Sequence, residues 1–136
     1  MPIEYRSHTA DIQMVIKADD FQQLFELSLE GMSNILVHSG CITTYDEQSQ
    51  EIEISGQDTT NLLIDFLSEA LSYTYVNKVL YCKLHVLALN DRHIKALLFG
   101  LPIQSLDEEI KAVTYHEAKV EQDIEGKWSV SIIFDI

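Results

Sequence analysis

The chain has 136 residues, a length that suits one domain, 1–136, and its 46% hydrophobic content with few Gly or Pro excludes a disordered polymer. Asp plus Glu is 22 and Lys plus Arg is 9, a net charge of −13, and such a surface repels phosphate backbones and argues against unaided nucleic-acid binding. A basic protein partner or a cation suits it better.

Taken in chain order, Ile12, Met14 and Ile16 alternate with Gln13, Val15 and Lys17, the pattern of a half-buried strand. Asp19-Asp20 supplies an N-cap, and Phe21, Leu24, Phe25, Met32, Ile35 and Leu36 form one apolar stripe, which predicts a helix to about Val37. His38 to Gln50 reads as a loop. Glu51 to Ser55 alternates again, with Ile52 and Ile54 on one face. After a turn at Gly56-Gln57-Asp58, a second helix is capped by Asp58, Thr59 or Thr60 and buries Leu62, Leu63, Phe66, Leu67, Ala70 and Leu71.

The second half reads as strand. Leu80 to Leu89 and Arg92 to Gly100 alternate around an Asn90-Asp91 turn. Leu101 to Ile110 is a loop, and Lys111 to Glu121 with Lys127 to Ile136 forms a hairpin around Glu125-Gly126. In the last strand Trp128, Val130, Ile132 and Phe134 face one way, and Ser129, Ser131, Ile133 and Asp135 the other. Strand runs with two separated helices give an α+β class: a two-layer sandwich, mainly antiparallel sheet, with both helices on one face.

Three acids at opposite ends of the sequence stand out: Asp11, Asp135 and the terminal carboxylate of Ile136. They can meet only if the first and last strands are neighbours. The commoner role for Asp11 is a local turn, since Asp bonds its own backbone readily. Asp135 could be an exposed residue on a fraying end, but Val130 to Phe134 is too apolar for a loose tail. Three carboxylates held together without a counterion would cost several kcal/mol. A hard cation, Ca²⁺ or Mg²⁺, would remove that cost, and carboxylates without cysteine favour such an ion over zinc.

The other chemistry-bearing residues offer less. The five histidines have no HxxxH or HxH spacing, so zinc and iron sites are poorly supported. His8 and His116 could approach the acids, as orienting groups rather than ligands. Lys111 reads as a strand lysine on an acidic surface. No phosphate loop or Gly-x-Ser-x-Gly elbow exists. Cys41 and Cys82 show no metal spacing and no disulfide framework, so reduced thiols are expected. With no signal-peptide pattern and no apolar run near a membrane span, a cytoplasmic protein is expected.

Four blocks in order then resemble the archease family: His8-Thr9-Ala10-Asp11 before an alternating strand, with the Asp-rich cap and Leu24-Phe25 after it; Asn61 to Leu71; Lys111 to His116; and the ending Phe134-Asp135-Ile136. The resemblance covers essentially the whole chain. It implies an accessory protein, not an enzyme, that serves the GTP-dependent RNA ligase of tRNA splicing by assisting guanylylation and multiple-turnover RNA ligation. It also implies a divalent cation, calcium, held by Asp11, Asp135 and Ile136; a monomer without direct contact to nucleic acid or membrane is expected besides. Gln13 stands where the family usually has Gly, and Phe66 where it often has Trp. Two alternatives remain: a chaperone-like modulator of RNA-modifying enzymes such as tRNA methyltransferases, and a stand-alone metal-dependent phosphoester hydrolase.

Overall fold

In the computed structural model, which describes residues 2–7, 10–40 and 48–136, the two ends of the chain lie side by side in one sheet. That sheet is built from β1 (Ile3–Ser7), β2 (Asp11–Ala18), β8 (Trp128–Asp135) and β6 (Ala112–Thr114) in this order, with β7 (Glu121–Gln122) also paired to β8. A second sheet has the order β3 (Gln48–Ser55), β5 (His93–Pro102), β4 (Val79–Asn90). Every pairing is antiparallel. The α+β class with two helices is as expected, and the strands divide between two sheets.

The helices are α1 (Phe21–Leu36) and α2 (Thr59–Asn77). Asp20 caps α1 by accepting from the Gln23 N–H at 2.7 Å, and Asp58 caps α2 by accepting from the Asn61 N–H at 2.8 Å, each satisfying a donor the helix cannot. Thr59 and Thr60 are therefore helical residues, not caps. The α1 stripe buries Leu24, Phe25, Leu29, Met32 and Leu36, and α2 buries Leu62, Leu63, Phe66, Leu67 and Ala70. Phe25 meets Phe66 edge-to-face, with ring centroids 5.3 Å apart, where the two helices touch. Met14, Ile16, Ile132 and Phe134 from the first sheet and Ile52, Ile94, Ala96 and Leu98 from the second close the same core. Full burial of each of the larger of these side chains, the Leu, Ile, Met and Phe, stabilises the fold by about 1.5–3 kcal/mol.

Several expectations need correction. The strand read over 111–121 is broken after Thr114 by a turn in which Glu117 takes φ 57° and the Ala118 N–H bonds Tyr115 O at 3.0 Å. Pairing resumes only in the two residues of β7. The hairpin turn itself is as read: Gly126 takes φ 85°, and the Asp123 carboxylate accepts from the N–H groups of Glu125 and Lys127. The loop read over 38–50 ends early, because β3 begins at Gln48, and 41–47 lie outside the described residues. Strand β1 is an addition to the sequence reading. Cys82 is disulfide-bonded rather than a reduced thiol, while Cys41, the chain's other cysteine, lies outside the described residues. Among the described residues no helix is long and apolar enough to cross a membrane.

Candidate functional site

The alternation of β2 and β8 decides what the chain ends present. In each strand the apolar set faces the helices, so the other set faces away from them. Register pairs Ile12 with Phe134 and Met14 with Ile132 on the inner face, and Asp11 with Asp135 at the outer end. Two carboxylates thus stand directly opposite each other on adjacent strands, an arrangement that is unfavourable for like charges without a counterion. Asp135 is exposed and Asp11 half-buried, but Asp11 Oδ1 is fully covered and accepts no hydrogen bond from the described residues.

The last residue does not fray. The Ile136 N–H bonds Ala10 O at 3.2 Å, and the Lys111 N–H bonds Asp135 O at 2.7 Å. Ile136 itself packs against the core. These bonds hold the terminal residue beside Ala10, next to Asp11. On the same outer face, one pair further in, Gln13 Nε2 donates to Ser131 Oγ at 2.6 Å, a cross-strand bond that glycine at 13 could not make.

The arrangement offers oxygen donors of the kind a hard cation takes: two Asp carboxylates, one with an orphaned buried oxygen, and a terminal carboxylate on a fixed strand end. Among the described residues no group of three His, Cys, Asp or Glu side chains could hold a metal, so Asp11 and Asp135 alone do not complete a site with side chains of those types. Of the other residues singled out, His116 is exposed and lies 3.8 Å from the Glu117 carboxylate, its sequence neighbour. Lys111 contributes its backbone N–H, while its side chain is exposed. His8 lies outside the described residues.

A feature the sequence did not show is the strap from Ile103 to Val120, which α2 holds in place. The Tyr75 hydroxyl accepts from the Ile110 N–H at 2.8 Å and donates to Ile110 O at 2.5 Å. The Tyr115 hydroxyl donates to Asp65, and Thr60 Oγ1 accepts from the Val120 N–H at 2.9 Å. Burial raises the Tyr75 hydroxyl above the ordinary tyrosine range, against the lowering effect of its bond to Ile110. The Tyr115 hydroxyl is raised chiefly by its bond to Asp65.

The model of the Archease protein family matches residues 3–136. The chain belongs to the archease family. An archease of Methanosarcina mazei is 30% identical, with 98% of this chain and 94% of that protein aligned. An archease-like protein of Drosophila melanogaster is 29% identical, over 100% of this chain and 91% of its own. Solved archease-fold structures agree. The solution structure of Methanobacterium thermoautotrophicum protein 1598 has a TM-score of 0.82 at 23% identity, covering 99% of both chains. The Thermotoga maritima archease, described as a possible chaperone, has a TM-score of 0.66 at 21% identity, covering 98% of this chain and 96% of its own. At those identities the two structures speak to the archease fold alone.

Proposed function

We propose that this archease is an accessory protein of the GTP-dependent tRNA-splicing RNA ligase, promoting its guanylylation and multiple-turnover RNA joining, and that it does so through a divalent cation, calcium first, at the joined chain ends. Asp11, Asp135 and the Ile136 carboxylate would hold the ion. The observation that carries this reading is the register of β2 on β8, which sets Asp11 opposite Asp135 with one Asp11 oxygen covered and unbonded. A bound cation would supply positive charge between the Asp11 and Asp135 carboxylates that the register sets opposite each other.

Charge supports this choice of partner alongside the family likeness. A surface of net charge −13 is complementary to a protein that binds RNA through basic patches, and such complementarity speeds encounter. It disfavours direct RNA binding by this chain. A cytoplasmic setting belongs to the same proposal, although the Cys82 disulfide pulls the other way in an ordinary reducing cytosol. Cell fractionation tests that part.

The decisive assay mixes the matching ligase with catalytic amounts of this protein and follows RNA joining over many turnovers. Wild type should restore turnover and Asp11→Ala should not; equal rates would defeat the reading. Calcium titration tests the ion separately. A few residues added after Ile136 displace the free carboxylate, and binding should weaken at least tenfold, about 1.4 kcal/mol.

One other reading draws on a specific observation, the description of the Thermotoga relative as a possible chaperone. A chaperone-like modulator would co-purify with several RNA-modifying enzymes, tRNA methyltransferases included, and a dedicated cofactor with one ligase.

A further inference from the structure

We infer that Tyr75, on α2, is a positioning residue for the chain-end site: its hydroxyl grips both backbone groups of Ile110 and so holds the next residue, Lys111, against the main chain of Asp135. The inference rests on the proposal that Asp11, Asp135 and Ile136 act together, and it names what keeps their geometry fixed from the side opposite β2.

Four hydrogen bonds form the line. Tyr75 Oη accepts from the Ile110 N–H at 2.8 Å and donates to Ile110 O at 2.5 Å. A hydroxyl has one donor and two acceptor sites, so it can make both bonds at once. Ile110 is fully buried, and water does not substitute cheaply for either bond. One residue on, the Lys111 N–H bonds Asp135 O at 2.7 Å, and Ala112 pairs with Asp135 in register. One residue beyond Asp135, the Ile136 N–H bonds Ala10 O. The terminal strand is therefore held on both sides at its last turn of pleat: by β2 and Ala10 on one flank, by the Lys111 strap on the other.

The two flanks differ in what supports them. The β2 flank belongs to a continuous ladder from Asp11 to Ala18. The β6 flank has only three paired residues, Ala112 to Thr114, against eight on the β2 flank. Tyr75 adds support by tying the entry of β6 to a long helix seated in the core. No part of this was visible in sequence, where Tyr75 falls among Tyr73, Thr74 and Val76 with no marker of its own.

The test is Tyr75→Phe, which keeps the ring and removes the two bonds. Ser33→Ala is the matched control: it deletes another buried bond, Ser33 Oγ to Tyr81 O at 2.5 Å, where α1 meets β4. Both variants should melt lower. Only Tyr75→Phe should speed amide hydrogen exchange at Lys111 and Ile136, at least tenfold, and weaken calcium binding at least threefold at a temperature where both variants are folded. Lys111 exchange as slow as in wild type, or equal calcium loss in both variants, would overturn the inference. Wild-type protein that takes up no calcium would instead remove the ion from the proposed function, and Lys111 exchange would still decide whether Tyr75 holds the strap.

Discussion

Asp135 and Asp11 face each other across one strand pair, and that single juxtaposition sets opposite expectations with and without an ion. In a chelator, Asp135→Asn removes one of two like charges and should stabilise the protein by about 0.5 kcal/mol, within the range of cross-strand pairs. In calcium, the same variant should lose most of the gain in melting temperature that wild type shows, since only an ion bound to the native state raises stability. Melting both proteins in both conditions checks the crossing of sign. A second residue tests the packing behind the fold. A Cβ at Gly100 would lie 2.0 Å from Leu80 O, a backbone atom of the adjacent strand that cannot swing aside. Gly100→Ala should therefore cost about 2–3 kcal/mol by denaturant unfolding, the upper end for overpacking.

At the scale of elements, α2 is both a core helix and the anchor of the strap. Asp58→Ala removes its N-cap and should cost about 1 kcal/mol. The strap tyrosines give the helix an alkaline signature. Tyr75 and Tyr115 titrate in the folded protein above the ordinary value of 10.0, so the native state keeps protons that the unfolded chain releases. Their contribution is complete below about pH 10 and is lost as pH climbs through the folded values. Stability measured by urea unfolding should fall in that range, and less steeply in Tyr75→Phe.

The same elements show what sequence could convey. The strands that carry Asp11 and Asp135 alternate cleanly over Ile12–Lys17 and Trp128–Asp135, so their buried faces could be read, and with them the face of Asp135, whereas Asp11 read as a turn residue ahead of the strand that in fact begins with it. That the two strands are neighbours could only be posed as a condition, because pairing at such separation leaves no local trace. The division into two sheets was hidden for the same reason. Strand β1 was missed because Ile3-Glu4-Tyr5-Arg6 is short and offers only two alternating residues with apolar surface, of which Tyr5 is 42% exposed with its hydroxyl on Gly31 O. The break at Glu117 was missed because positive φ falls there on a residue with no turn preference. Tyr75 was missed because its partner Ile110 is 35 residues away.

For the whole molecule, the governing quantity is the net charge of −13. Even with every Lys and Arg paired, 22 − 9 = 13 acids remain without a basic partner of their own. Among the described residues, Arg6 pairs with Glu4, Lys95 with Glu51, Lys119 with Glu121 and Lys127 with Asp19, all on the surface, where solvent screening leaves such pairs little net stabilisation. Salt weakens those pairs, and it also screens the mutual repulsion of the excess acids. The second effect should win, because repulsion acts over many pairs and over distances comparable to the Debye length, about 30 Å at 0.01 M and about 10 Å at 0.1 M. In chelator the protein should thus melt higher in about 0.5 M than in about 0.01 M sodium chloride, whereas association with the proposed basic partner should slow over the same interval. A melting temperature that falls with salt would mean that the local pairs outweigh the general field, and the acidic surface would then be no reservoir of repulsion for a cation or a basic partner to relieve.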